Sequence, residues 1–487
     1  MLKPEDLLSR RAFLAKSVAL GTGIAVLPHS RVLGANDDVR VAICGIGIKG
    51  NQHINSFQKL KGVRVVAICD PDKNRMEEAL AKHFKKGDKP ALVQDIRKII
   101  EDKNIDAIVV ATPNHWHALA TVWACQNGKH VYTEKPYSHA FHEGQQLLAT
   151  AKKYGRVMQV GTQSRSDVGL QAAYEYIKNG DLGKLKHIRG IYYNLREPIG
   201  KVDGPQPIPP GVDYDLWLGP APKAPLMRKN LHYDWHWQWP YGNGDLGNNM
   251  VHMLDISMWM SDNHDFPRKV LAMGGRFNWH DDGVTPNTQT VFYDFGEGKI
   301  PVVCEVRNLP HAAGVKRPDN IKGSHVGVKI VGEKGYIVGY NTGAWAYDND
   351  GKRVKQFVSD GGGTHQQNFI DAIRANKPEM VKATPTMGHL SAGLCHLGNI
   401  SYKLGKPAQG QNIYDAVGSD ALHHALVDDF QEHLLVNHVD VQAVPRLLGP
   451  WLSFDPAAQK FTGERADEAN KHLTTTYREG FVLPEQV

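Results

Sequence analysis

Apolar residues in the first third of the chain fall in short unbroken runs. VRVAIC (39–44), VRVVAICD (63–70), DAIVVATP (106–113), KHVYTEKP (129–136) and RVMQVGTQ (156–163) read as buried strands. Segments of helical spacing stand between them: MEEALAKHF, HALATVWACQNG, closed by Gly128, and GQQLLATAKKYG. Strands alternating with helices predict a parallel, doubly wound sheet, whose ligands bind beyond the carboxyl ends of the strands. Asp70, Thr112-Pro113-Asn114, Glu134-Lys135-Pro136 and Gly161-Thr162-Gln163 stand at those ends and are expected to surround one crevice.

After residue 162 the period changes. KHIRGIYYNLRE, RKVLAMGGRFNW, TQTVFYDF, IPVVCEVRNL and VGVKIVGEKGYIVGY alternate apolar and polar residues between glycines. They predict antiparallel strands of a large open sheet with one covered face. Helical spacing returns in HQQNFIDAIRAN, in LSAGLCHLGNISYKLG and beyond residue 411, and LTTTYREGFVLPEQV reads as an extended tail lying on the domain. The expected class is α/β: a doubly wound parallel-sheet domain over 36–161, then a second α/β domain over 162–487 with a large open, mainly antiparallel sheet. The proline-rich DGPQPIPPGVDYD (203–215) is a loop suited to oligomer contacts or to a cleft rim.

Composition narrows the function classes. The 487 residues are 41% hydrophobic and 22% charged, as in an ordinary globular protein. The net charge of +6 is dilute, half of it lying in residues 1–35, and no long Lys/Arg block marks a nucleic-acid partner. No apolar run of about 18 residues stands outside the N-terminus, so no internal transmembrane helix is expected. Arg10-Arg11, Phe13, Leu14 and Lys16, followed by a modest apolar stretch, look like a twin-arginine export signal over 1–35, with a weak cleavage site near Ala35. Export by that route carries a protein already folded, to the periplasm and without stable membrane insertion. The five cysteines are far apart, form no CxxC pair and read as buried small hydrophobes. No HExxH occurs, and no metal is expected.

The chemistry starts at Gly45-Ile46-Gly47-Ile48-Lys49-Gly50, a G-x-G-x-x-G directly after the first strand. Gly45 permits the tight turn, Gly47 lets the backbone approach a pyrophosphate, and Gly50 lets the next helix pack close to the strand. Asp70 ends the second strand about twenty residues on, where a carboxylate accepts from the adenosine ribose hydroxyls and repels a 2′-phosphate. The pair favours NAD over NADP, with Lys73 and Arg75 leaving room for dual use.

With ATPNHWH (111–117), EKP (134–136) and GDLGNNMVHMLD (244–255) added, residues 38–400 resemble the Gfo/Idh/MocA oxidoreductases. That resemblance implies a Rossmann dinucleotide-binding domain over 36–161, a substrate-binding and oligomerisation domain over 162–487 whose open sheet closes over the nicotinamide, and hydride transfer between NAD and a sugar or polyol carbinol. It makes Lys135 the residue that hydrogen-bonds the reacting oxygen and His252 the acid/base. The expected cofactor contacts are Gly45, Gly47, Ile48, Gly50, Asp70, Thr112, Pro113, Asn114, His117, Glu134, Lys135 and Gln163. Many relatives carry an aspartate four residues before the histidine; here Asn248 stands there, which can orient a substrate hydroxyl but cannot accept a proton. Trp235, Trp237 and Trp239 alternate just before this helix, and their faces suit the apolar C–H face of a pyranose; packing at a contact suits them equally. Trp235, Trp237, Asn248 and His252 are the expected substrate contacts. The expected function is oxidation or reduction of a sugar or glycoside, at C3, by a tightly held NAD in a dimer or tetramer. The alternative is an NAD-dependent glycosidase working by oxidation, elimination, water addition and reduction, with Tyr233, Tyr241 or His365 as its second base. A non-catalytic sugar- or nucleotide-binding relative is the third.

Overall fold

The computed structural model describes residues 38–484; residues 1–35, read above as an export signal, lie outside them. Strands β1 (Val39–Cys44), β2 (Val63–Cys69), β3 (Ala91–Val93), β4 (Ala107–Val110), β5 (His130–Thr133) and β6 (Met158–Val160) form a parallel sheet in the order β3-β2-β1-β4-β5-β6. Helices cover both faces, so β4 is buried at every residue and its sequence is continuously apolar. The first helix, Ile48–Gln58, follows the glycine-rich turn, and Asp72 caps the second, Lys73–His83, by accepting from the Asn74 amide at 3.0 Å.

The second sheet runs β14 (Arg353–Phe357), β13 (Gly343–Tyr347), β12 (Tyr336–Tyr340), β11 (Val326–Gly332), β7 (Leu185–Tyr193), β10 (Val302–Arg307), β9 (Thr288–Asp294), β8 (Lys269–Gly275), and continues through two short strands, 446–448 and 406–408. Pairing along this path is antiparallel except between β7 and β10. Helices Val251–Met260 and Pro385–Lys403 bury one face through Met253, Leu254, Leu394 and Leu397. The other face differs from the expected exposure. Over β8–β10 it is covered by helices Gln411–Val417 and Ala421–Leu435, with Leu426 and Phe430 packed on Leu271, Phe292 and Val303. Only towards β11 does alternation remain, with Val328 and Ile330 buried and Lys329 and Val331 half-buried.

Later segments return to the Rossmann sheet and fix the two halves together. Phe369 meets the rings of Phe57 and Tyr132 edge-on, and Pro385–Lys403 packs on helix Phe141–Tyr154. The tail, expected on its own domain, reaches the Rossmann helices instead, with Phe481 edge-on to Trp116 at 5.6 Å. Between β7 and the His252 helix the chain forms a cap with little regular structure: helix Tyr214–Leu218 and a tight turn, Asp234–Trp237. The cap has its own apolar cluster of Trp217, Leu218, Leu226, Leu231 and Tyr241. Arg228 is buried in it, its guanidinium 4.8 Å from the Trp217 ring centre and 5.1 Å from that of Tyr241.

Candidate active site

The strand ends and the cap enclose a cleft of about 480 Å³. At its floor the three glycines have separate jobs. A Cβ on Gly45 (φ 89°) would fall 2.5 Å from the Ala111 carbonyl oxygen, and one on Gly50 would fall 1.9 Å from that of Gly45. A Cβ on Gly47 would meet only Arg75 Nη1, at 3.4 Å, so this glycine keeps the cleft side of the turn open. Gly50 acts through helix packing and does not line the cleft. Helix Ile48–Gln58 has no side-chain cap, so its first N–H groups are available to an anion. The Thr112 hydroxyl is buried in the wall without a partner. These features fit a dinucleotide pyrophosphate and its sugars. Asp70 lines the cleft as expected, but it also braces the turn: its carboxylate accepts from the Ile46 amide at 2.6 Å and the Asp72 amide at 2.9 Å. Burial raises its pKa.

At the other end β5 delivers Glu134 and Lys135. Lys135 Nζ donates to the Asn248 backbone oxygen at 2.5 Å and to its side-chain oxygen at 3.3 Å. Burial pushes the lysine down to about 8, with the Glu134 charge opposing the shift and the Lys49 charge adding to it. Asn248 thus spends its amide oxygen on Lys135. Glu134 accepts from His53 at 2.9 Å and from Gln163 at 3.0 Å; against its burial, the charges of Lys49 and Lys135 and the His53 contact hold it well below the usual carboxylate range. Gln163 does not line the cleft; it acts behind Glu134. His117 bridges two strand ends, facing the Pro136 carbonyl at 2.7 Å and the Thr112 carbonyl at 2.9 Å.

Asn248 and Asn249 reach the wall from a wide helical turn, Leu246–Met250, that opens directly into helix Val251–Met260. His252 is half-buried at the start of that helix and is not part of the cleft wall, although the Lys135 and Lys49 charges act on it. Burial, aided by those two cations, holds its pKa well below the usual histidine range, so the ring is neutral, and its Nδ1 has no partner. Asp245, just before the wide turn, pairs with Arg196 at 3.2 Å and accepts from Asn249 at 2.8 Å, and its charge acts on Lys135.

The tryptophans separate. The Asp234–Trp237 turn is a tight helix rather than a strand, so alternate residues do not share a face. Trp235 lines the cleft; Trp237 is 3% exposed under the Arg196 guanidinium, and Trp239 lies beneath Lys403. Of the three proposed second bases only Tyr233 faces the cleft. Tyr241 belongs to the cap's apolar cluster, and His365 is held by Ser166 and the Val160 carbonyl. Tyr233 adopts φ 71°, strained for a side-chain-bearing residue, and its hydroxyl accepts from Arg196 Nη1 at 2.6 Å. Sequence reasoning missed Arg196, His232, His236 and Trp217 in the wall. None belongs to a motif, and the tertiary path of the cap alone brings them there. Among the described residues no group of His, Cys, Asp or Glu could hold a metal ion, no helix is long and apolar enough to cross a membrane, and all five cysteines are free and buried.

Comparison with known proteins agrees with this geometry. Residues 39–162 match a family model described as an oxidoreductase family with an NAD-binding Rossmann fold, and residues 193–310 match the C-terminal alpha/beta domain of an oxidoreductase family. An inositol 2-dehydrogenase of Salmonella typhimurium is 29% identical over 158 residues, 32% of this chain and 46% of that protein. A glycosyl hydrolase family 109 protein of Shewanella pealeana is 27% identical over 205 residues, 40% and 43% of the two chains. The chain thus spans about half the length of the curated relatives it matches. A levoglucosan dehydrogenase solved as a complex with NADH superposes with a TM-score of 0.57 at 17% identity, covering 74% of this chain and 96% of that one; the likeness is one of fold.

Proposed function

The chain belongs to the Gfo/Idh/MocA oxidoreductase family and carries its NAD-binding Rossmann domain, and from that premise we propose that it oxidises or reduces a secondary hydroxyl or ketone of a sugar or glycoside, at C3, with NAD held tightly in the cleft. When bound, NAD accepts or returns the hydride of the carbinol carbon. Gly47, the free N–H groups of helix Ile48–Gln58 and the Thr112 hydroxyl hold its pyrophosphate and sugars, and Asp70 its adenosine ribose. Lys135 donates to the reacting oxygen and stabilises the charge that develops as the hydroxyl proton leaves. The family resemblance assigns that proton to His252, whose ring is neutral and stands behind the cleft wall. Trp235 offers its ring to the apolar face of the sugar. The observation that carries this reading is the joining of the β5 end to the His252 helix through Lys135 and Asn248, in one cleft with the glycine-rich turn. The inositol and levoglucosan dehydrogenases among its relatives and structural neighbours support a polyol or sugar substrate.

One observation favours a second reading. Tyr233 places a hydroxyl held by Arg196 on the cleft wall, where elimination would need a second base. C3 oxidation would acidify the C2 proton, Tyr233 would take it, the glycosidic oxygen would leave, and water would add before the hydride returned. The family 109 relative, a glycosyl hydrolase by name, supports cleavage of a glycoside. Incubation with a nitrophenyl glycoside, followed by mass spectrometry, separates the readings. Keto-sugar without cleavage marks a dehydrogenase, released aglycone with no net NADH marks the hydrolase, and neither product over a broad sugar panel marks a non-catalytic binding protein. We further propose that the enzyme is periplasmic and a dimer or tetramer; the Arg10-Arg11 segment supports the first point and the large open sheet the second. Cytoplasmic retention in a strain lacking the twin-arginine translocase, and light scattering, test these two points.

A further inference from the structure

The adenosine end of the cleft has a wall that the Rossmann sheet does not make. Leu216, Trp217 and His232 of the cap line it together with Asp70, Pro71 and Gln94. The cap is fastened along this edge. The Lys73 amide donates to the Gly211 carbonyl at 3.1 Å, and the Asp213 amide donates to that of Pro71 at 2.9 Å. Asn74 donates to the Pro210 carbonyl at 2.7 Å, Gln94 to that of Gly211 at 3.2 Å, and His232 meets the Asp72 carboxylate at 2.9 Å. On the far side Trp116 Nε1 donates to the Trp217 carbonyl at 3.2 Å. Gly219 (φ 47°) lies so close to the indole that a Cβ there would fall 2.2 Å from it. The tail locks the same corner: Arg478 pairs with the Asp215 carboxylate and donates to the Gly219 carbonyl at 2.9 Å and the Asp215 carbonyl at 2.8 Å. With its own apolar cluster around Arg228, the cap is a built wall and not a loose loop.

We propose that this cap, fastened by Asn74 on one edge and by Arg478 on the other, makes the dinucleotide captive, so that NAD leaves only when the cap lifts. The proposal rests on the NAD reading of the cleft and adds how the cofactor is retained. It also constrains turnover. Oxidation of a carbinol puts a hydride on the captive cofactor and releases a proton. Before the next turnover, a hydride must pass to the carbon and a proton to the oxygen of a carbonyl group, either in a second substrate or in the first. Free NAD is then neither consumed nor produced.

Asn74 and Arg478 stand outside the cleft wall, so they test the cap without touching the cofactor. The full chain is loaded with NADH, desalted, and its NADH release followed by fluorescence on dilution into excess NAD. Wild type should keep a stoichiometric share of NADH through desalting. Asn74→Ala and Arg478→Ala should each release it about tenfold faster, since each loses hydrogen bonds that fasten the cap. Hydrogen exchange is the second measurement: the Lys73 and Asp213 amides should exchange at least tenfold more slowly with NADH bound. Release at the wild-type rate in both variants, or exchange unchanged by NADH, overturns the captive cofactor and leaves the NAD reading standing. Failure of wild type to bind NADH at all overturns the reading itself.

Discussion

The two walls of the cleft are built on opposite plans. The Rossmann wall is a row of strand ends, where each functional group stands directly after a buried apolar run: Gly45 after β1, Asp70 after β2, Thr112 just beyond β4, Lys135 just beyond β5. The cap wall is irregular backbone held by its own aromatic cluster and by scattered hydrogen bonds and ion pairs to its neighbours. Strand ends cannot move without disturbing the sheet, so they hold groups whose placement the chemistry needs. The cap can shift without unmaking a core, so it suits closure and substrate choice. The difference teaches where each kind of substitution should be felt.

Lys135→Ala should give the largest effect. It removes the donor to the reacting oxygen, and turnover should fall by about 10³-fold, while NADH affinity measured by fluorescence stays within about twofold. Near-normal turnover in this variant would move the chemistry away from the Rossmann wall. On the cap wall the contrast is between neighbours. Trp237 is buried beneath Arg196, so Trp237→Ala should cost about 3 kcal/mol or more of stability in chemical denaturation. Trp235→Ala should instead raise KM for the sugar with a smaller loss of stability, because this ring lines the cleft. Equal losses of stability in the two variants would mean that both tryptophans are packing residues.

The same contrast separates what could be read in the sequence from what could not. G-x-G-x-x-G and Asp70 were legible because a strand, its turn and the next helix are local: Gly50 must be small wherever that helix packs, and its Cβ would strike Gly45. The β7–β12 strands were legible from alternation and glycine punctuation. The burial of the second face over β8–β10 was not, because the covering helices at 411–435 follow over a hundred residues later. Arg196, His232 and His236 were illegible for the same reason. Each reaches the cleft through a segment whose path depends on distant anchors, such as the Asn74 contact with Pro210. The tryptophan alternation suggested one shared face, and a tight helical turn at that site separated the rings.

Asp70 tests whether the Rossmann wall separates binding from architecture as cleanly as its motif implies. Asp70→Asn keeps the shape but loses the charge that holds the Ile46 and Asp72 amides and would receive the ribose hydroxyls. NADH affinity should fall by about 1–3 kcal/mol, roughly 5- to 150-fold, with a measurable fall in melting temperature. Weaker binding at an unchanged melting temperature would show that the two backbone contacts contribute little to the fold.

The smallest effect concerns the seam between the walls. His115, on the Rossmann side, faces the Trp217 carbonyl at 3.0 Å; His236 lies in the cap. Burial depresses each to about 3, from an unfolded value near 6.5. Because the folded pKa lies below the unfolded one, the unfolded chain binds more protons over that window. The stability contributed by these neutral rings is therefore fully present above about pH 6.5 and is lost as pH falls towards 3. Lys135, depressed to about 8 from 10.5, obeys the same sign in its own window, with stability rising between those values. Melting curves from pH 7 to pH 4.5 should show a decline that His115→Gln reduces. If the seam opens as a unit, NADH release should quicken over the same range, before global unfolding. Release that stays constant until the whole chain melts would mean that the cap and the Rossmann wall titrate as one body, and that their difference lies in sequence and not in stability.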